Sequence, residues 1–111
     1  MPRQLPQPSR DSINMVTVLT ALADPTRLTL MRAMYSRPGP ADCAVVAEAV
    51  EVGAPTVSHH YRVLREAGLT TTTVEGRRRV VTIRREDLEA RFPGLLAAIL
   101  TPDLDAHLTH A

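Results

Sequence analysis

Lysine and tryptophan are absent from this chain, and cysteine occurs once. A single thiol, Cys43, excludes an internal disulfide framework. Aromatic residues make up 3% of the sequence, which leaves little ring surface for a substrate pocket. No apolar run approaches the roughly 20 residues that a bilayer span requires. Residues 1–10 hold Pro2, Pro6 and Pro8 and no apolar segment, which is not the pattern of a signal peptide. The expected location is therefore cytoplasmic. There is also no glycine-rich phosphate loop, no acid–base constellation and no closed metal motif, so an enzyme is not expected.

What remains is 111 residues, 44% hydrophobic and 23% charged, enough for one small domain with one core. Every one of the 13 basic residues is arginine, the better fork for phosphate. The net charge of +1 hides an asymmetry. Residues 1–52 carry five arginines and five acids. Residues 53–85 carry seven arginines against Glu66 and Glu75, and residues 86–111 carry Arg91 against five acids. One concentrated basic segment in a nearly neutral protein points to a local polyanion site; the competing reading is a solvated basic face.

The chain divides into an N-terminal arm (1–10), a core domain (11–101) and a polar C-terminal tail (102–111). The prolines of the arm predict a flexible segment. Asp11 or Ser12 can cap a first helix to about Ala23 that is apolar almost all round and so asks for burial on two sides. Asp24-Pro25 is a strong helix start, and this second helix runs to about Ser36. A third helix is expected from about Ala41 to Val50. After the turn at Glu51-Val52-Gly53 comes a fourth, with Pro55 in its first turn and Gly68 as its stop. Leu69–Val74 and Val80–Ile83 read as two strands around a turn at Glu75-Gly76-Arg77. Arg84–Arg91 and the apolar Leu95–Leu100 read as short helices separated by Phe92-Pro93-Gly94. The expected fold is mainly α with a two-stranded β wing.

The fourth helix carries the chemistry. At 100° per residue, Val57, Tyr61 and Leu64 form a buried stripe with His60 at its edge. Thr56, His59 and Arg62 fall opposite, flanked by Ser58 and Arg65. Hydroxyls, imidazoles and a guanidinium near a helix N-terminus can address base edges or phosphates, so Thr56, Ser58, His59, His60 and Arg62 are candidate DNA contacts. Adjacent histidines point about 100° apart, which does not suit joint chelation. Arg77, Arg78 and Arg79 at the hairpin tip are further candidates, although strand alternation prevents all three from reaching one phosphate run.

Leu22-Ala23-Asp24-Pro25-Thr26-Arg27-Leu28 resembles the opening signature of ArsR/SmtB-type winged helix-turn-helix repressors. Thr56-Val57-Ser58-His59-His60 with Leu64-Arg65-Glu66-Ala67-Gly68-Leu69 resembles their recognition helix, and Gly76-Arg77-Arg78 their wing tip. The resemblance spans residues 12–100 in order, with Tyr61 where leucine is usual and Ala54 where a small hydroxyl residue is common. It implies a homodimer through the first and last helices, with Ile13, Val16, Leu19, Leu95, Leu96 and Ile99 as interface candidates. It also implies an inverted-repeat operator in double-stranded DNA.

Many members of that family release DNA on binding a metal. One known site uses Cys-x-Cys near the third helix; here Asp42-Cys43-Ala44-Val45 offers one thiol, so a soft-metal site lacks its ligands. Another uses Asp-x-His with a later histidine. Asp105-x-His107, with Asp103 and His110, has that local spacing beyond Pro102, and its N/O donors would suit Ni²⁺ or Zn²⁺. The alternatives are an unstructured acidic tail, and control by a partner protein or an organic ligand without metal.

Overall fold

A computed structural model describes residues 1–101. The tail, and with it Asp103, Asp105, His107 and His110, lies outside the described residues.

The first helix, α1 (Met15–Leu22), begins later than Asp11 or Ser12. Arg10–Ser12 closes a single 3-10 turn, and the Asn14 carboxamide caps α1 by accepting from the Thr17 amide at 3.1 Å. The break leaves Ile13 extended and drops its side chain into the core. α2 (Pro25–Tyr35) starts as expected: Asp24 accepts from the Arg27 amide at 2.9 Å and Pro25 occupies the first turn. That amide bond is the main reason the Asp24 carboxyl titrates below its ordinary range. Leu30, Met31 and Met34 face inward.

The expected third helix is shorter than its sequence pattern. Ala41–Asp42 forms a strand, β2, and the helix proper, α3, is Cys43–Val46, continued by a 3-10 turn at Ala47–Ala49. Asp42 explains the switch. Its backbone pairs with Val80, while its side chain accepts from the Ala44 amide at 2.8 Å and starts α3.

The fourth helix, α4 (Ala54–Glu66), buries Val57, His60, Tyr61 and Leu64. It ends on Gly68, in the left-handed region at φ +89°. The Gly68 amide donates to the Arg65 carbonyl and the Leu69 amide to the Leu64 carbonyl, each at 3.0 Å. The hairpin follows at once: β3 (Thr70–Glu75) and β4 (Arg78–Ile83) pair from Thr70 with Ile83 to Glu75 with Arg78. Gly76, at φ +65°, supplies the turn.

The wing has more strands than its sequence predicts. The antiparallel order is β1-β3-β4-β2, where β1 is Arg3–Gln4 of the N-terminal arm. The arm pairs with Thr73 and Val74, and the Leu5 amide donates to the Thr72 carbonyl at 2.8 Å. It thus covers backbone groups that a free edge would leave unpaired.

Two short helices close the domain, α5 (Arg85–Arg91) and α6 (Leu95–Leu100). Arg84 is buried and anchors the arm to them: it donates to the Pro8 carbonyl at 2.7 Å and to Asp87 at 2.9 Å. Arg10 reaches the same Asp87 at 2.6 Å, and this hydrogen bond leads in holding the Asp87 carboxyl below its usual range.

The expected interface residues separate. Ile13 and Leu96 are buried in the chain's own core and are corrected as surface candidates. Leu95 and Ile99 are half-buried. Val16 (71% exposed) and Leu19 (43%) remain uncovered on α1, with Met15 beside them. The physical reason is the Asn14 cap, which turns Ile13 away from the helix face it was expected to share.

Gly68 tests the join between α4 and the wing. A Cβ there would lie 2.7 Å from Ile13 Cγ1, on a backbone conformation that L side chains rarely adopt. Gly68→Ala should lower the unfolding free energy by about 2–4 kcal/mol, from backbone strain plus overpacking, as measured by urea denaturation. A loss below about 0.5 kcal/mol, the range of an ordinary surface change, would show that the contact relaxes freely.

Candidate nucleic-acid interface

The outward face of α4 is built by its inward one. Val57, Tyr61 and Leu64 fix the rotation of the helix, and Thr56, Ser58, His59 and Arg62 are left exposed. A hydrogen bond sharpens the setting: the Tyr61 hydroxyl donates to the Cys43 carbonyl at 2.7 Å, tying α4 to α3. Desolvation raises the Tyr61 phenol above its ordinary value, so it remains a donor at neutral pH. The Cys43 thiol is likewise pushed up to about 11, chiefly by burial, and is protonated at neutral pH.

The two histidines part company. His59 is exposed, and its Nδ1 lies 3.2 Å from an Arg62 guanidinium nitrogen, one turn along the helix. His60 is buried, and its Nδ1 lies 3.2 Å from Arg27 Nη1. An arginine has no acceptor, so the His60 nitrogen accepts. Arg27 in turn donates to the Ala21 carbonyl at 2.7 Å. His60 therefore joins α4 to the α1–α2 corner, and its assignment as a DNA contact is corrected. The 100° offset of neighbouring residues put it on the core edge of the stripe.

The basic segment also divides. Arg84 and Arg85 are turned to the protein, Arg85 donating to the Tyr35 and Arg37 carbonyls at 2.9 and 3.0 Å. Arg78 sits 3.2 Å from Asp42 on the outer face of the hairpin. Arg79 pairs across the strands with Val74 and falls on the opposite, helix-facing side. Arg79 borders one shallow depression of about 330 Å³ with Ser58, His59, Arg62 and Arg65. Arg77 is exposed at the turn.

Arg65, which the helical wheel places on the flank of the polar face, also borders this depression. It lies seven positions, two turns, beyond Ser58, so the same helical wheel places it on Ser58's side. Among the described residues no cluster of three or more His, Cys, Asp or Glu side chains could hold a metal, and no helix is long and apolar enough to cross a membrane.

A helix pair joined by a short turn, its second member exposed and polar, followed by a basic hairpin, defines a winged helix-turn-helix protein. Comparison with known proteins takes the class further. A helix-turn-helix domain model matches residues 22–73. The chain is 33% identical over 82 residues to the uncharacterised HTH-type transcriptional regulator YceK of Bacillus subtilis (strain 168), covering 74% of this chain and 82% of that one. Among solved structures, an ArsR family transcriptional regulator superposes with a TM-score of 0.63 at 25% identity, over 87% of this chain and 97% of that one. A "possible transcriptional regulator for arsenical resistance" superposes at 0.61 with 29% identity, over 86% and 96%. The chain belongs to the ArsR family of DNA-binding transcriptional regulators, which are not enzymes.

The split of the two histidines has a direct consequence. His60→Ala should lower the unfolding free energy by about 1–3 kcal/mol, because it strips a buried acceptor from Arg27. His59→Ala should stay within about 0.5 kcal/mol of the parent. Thermal or urea unfolding of the two variants side by side measures the contrast, and equal effects would refute it.

Proposed function

We propose that this chain acts in the cytoplasm as a homodimer that binds an inverted-repeat operator in double-stranded DNA and so controls transcription. The observation that carries the reading is the shared depression of α4 and the wing. Ser58, His59 and Arg62 on one side and Arg79 on the other face the same space, so one duplex can meet both. Thr56, Ser58, His59 and Arg62 would address base edges in the major groove, while Arg77 and Arg79 would neutralise backbone phosphates. Arg78 is held toward Asp42 and would contribute less. The homodimer is supported by the uncovered α1 residues Val16 and Leu19, with half-buried Leu95 and Ile99 on α6. A two-fold pair of recognition helices asks for half-sites about one DNA turn apart.

A mobility shift with DNA flanking the protein's own gene tests this. Affinity should fall steeply with salt. Ser58→Ala/His59→Ala should lose about tenfold in discrimination between that DNA and a scrambled duplex. Arg79→Ala should weaken both duplexes alike and reduce the logarithmic salt slope by about one. Undiminished discrimination by the double variant would overturn the recognition-helix assignment.

A divalent-metal signal, nickel or zinc, is the extension that the donor set Asp103, Asp105, His107 and His110 supports. Calorimetric titration of Ni²⁺ and Zn²⁺ into the full chain and into a chain ending at Thr101 checks it. Binding by the full chain should be lost on truncation, and equal affinity in both would reject the tail as the site.

A further inference from the structure

Beside the DNA-facing depression, a second cleft of about 360 Å³ opens between α3, α4 and the hairpin. That volume falls within the range of small-molecule sites. One side is apolar, formed by Ala47, Val52, Val57 and the Tyr61 ring. Arg65 and Arg79 stand on its border as well, shared with the neighbouring depression. Two residues that line this cleft carry a buried polar atom without a partner. Thr72, 2% exposed, lines it with a hydroxyl that has no hydrogen-bond partner, and the buried Nε of Arg65 has none either. Buried donors are seldom left unpaired in a folded protein. Thr72 and the two arginines on the border, set beside a hydrocarbon wall, describe a site for a molecule with an anionic end and an apolar body.

We infer that this cleft binds a small organic monocarboxylate, whose carboxylate is held by Arg65 and Arg79 and whose hydrocarbon packs against Val52, Val57 and Ala47. Thr72 supplies a further donor to the bound molecule. Cys43 also lines the cleft and presents a neutral thiol there rather than a competing anion. Inorganic phosphate would satisfy the arginines and leave the apolar wall bare, whereas a neutral alcohol would do the reverse. Occupancy has a regulatory consequence, which rests on the DNA-facing reading of α4 and the wing. A carboxylate that takes up Arg65 and Arg79 withdraws Arg79 from the duplex and offsets the positive charge of Arg65 beside it. Ligand and DNA therefore weaken each other's binding by the same factor.

Isothermal titration calorimetry on the full chain without DNA tests the site by itself. The probes are hexanoate, octanoate and phenylacetate, with octanol and inorganic phosphate as controls. At least one carboxylate should bind, octanol about tenfold more weakly, and phosphate not at all. Arg65→Gln should weaken that carboxylate about tenfold, and Ala47→Leu should exclude it by filling the cleft. Thermal melts establish that the variants are folded; should Ala47→Leu fail to fold, Arg65→Gln decides. Binding by none of the three carboxylates, equal binding of octanol, displacement by phosphate, or undiminished affinity in the folded variants would each overturn the inference. A mobility shift with the bound carboxylate then reads the consequence, and unchanged DNA affinity overturns the regulatory half. A protein that shifts no DNA would refute the operator reading while leaving the calorimetric result intact.

Discussion

The end of α4 is packed against Ile13, and the relation between α4 and the wing depends on that contact. Gly68 turns the chain in the left-handed region with its open face against the Ile13 side chain, where a Cβ would stand 2.7 Å away. The next residue, Leu69, is fully buried and donates to Leu64 in the helix. Its carbonyl accepts from Arg84 at the far end of the hairpin, at 3.0 Å. Helix end, first strand and the residue after the last strand therefore meet within two positions. A flexible linker there would let the wing drift relative to α4 and scatter the side chains that the proposed function brings to one duplex. Rigid pre-positioning reduces what binding must spend on ordering. The N-terminal segment belongs to the same constraint, since Ile13 reaches the core only because Asn14, rather than Ser12, caps α1.

Arginine serves two kinds of task here, and the charge run along the chain conceals the division. Arg85 donates to two carbonyls, Arg91 to the Arg10 and Asp11 carbonyls, and Arg84 to a carbonyl and a carboxylate. A planar fork with several donors suits such joints, in which one side chain ties two backbone segments. The charges of these residues are engaged inside the protein and are lost to the outward face of α4 and the wing. Of the seven arginines between 53 and 85, Arg62, Arg65 and Arg79 border the depression and Arg77 is exposed at the turn. The electrostatic footprint is smaller and more local than the sequence count implies.

Sequence periodicity reached the parts of the fold that repeat. The Val57, Tyr61 and Leu64 stripe, the Asp24-Pro25 start and the hairpin around Gly76 each carry a local signal, and each is where that signal put it. The family signatures agreed with them. What periodicity missed was fixed by tertiary pairing. Ala41-Asp42 contains no β-former and becomes a strand because Val80 and Val81 offer a partner edge. Arg3-Gln4, between prolines, does the same along β3. Two residues are too few to leave a pattern. At the site, alternation predicted that Arg78 and Arg79 diverge but not which faces the helix; the β3–β4 register and Asp42 decide that. His60 lay on the boundary of the wheel, and its side was settled by Arg27, 33 positions away.

Tyr61 gives the site its particular character. Where the family resemblance leads to leucine, this chain places a phenol whose hydroxyl is held by the Cys43 carbonyl. A leucine would set the angle between α3 and α4 by packing alone. The hydrogen bond sets it by direction as well, and it holds the ring along the wall of the cleft instead of leaving it free to collapse inward. The cleft then persists between α4 and the hairpin, the two elements that the proposed function turns toward DNA. A void there has no partner atoms on one side and forfeits dispersion contacts, so close packing opposes it. The unpaired Thr72 hydroxyl on its wall adds a cost that a Thr72→Val change of nearly the same shape would remove. The same geometry that fixes the outward face of α4 thus also leaves a space bordering both α4 and the wing, where the proposed ligand and the proposed duplex would share Arg79.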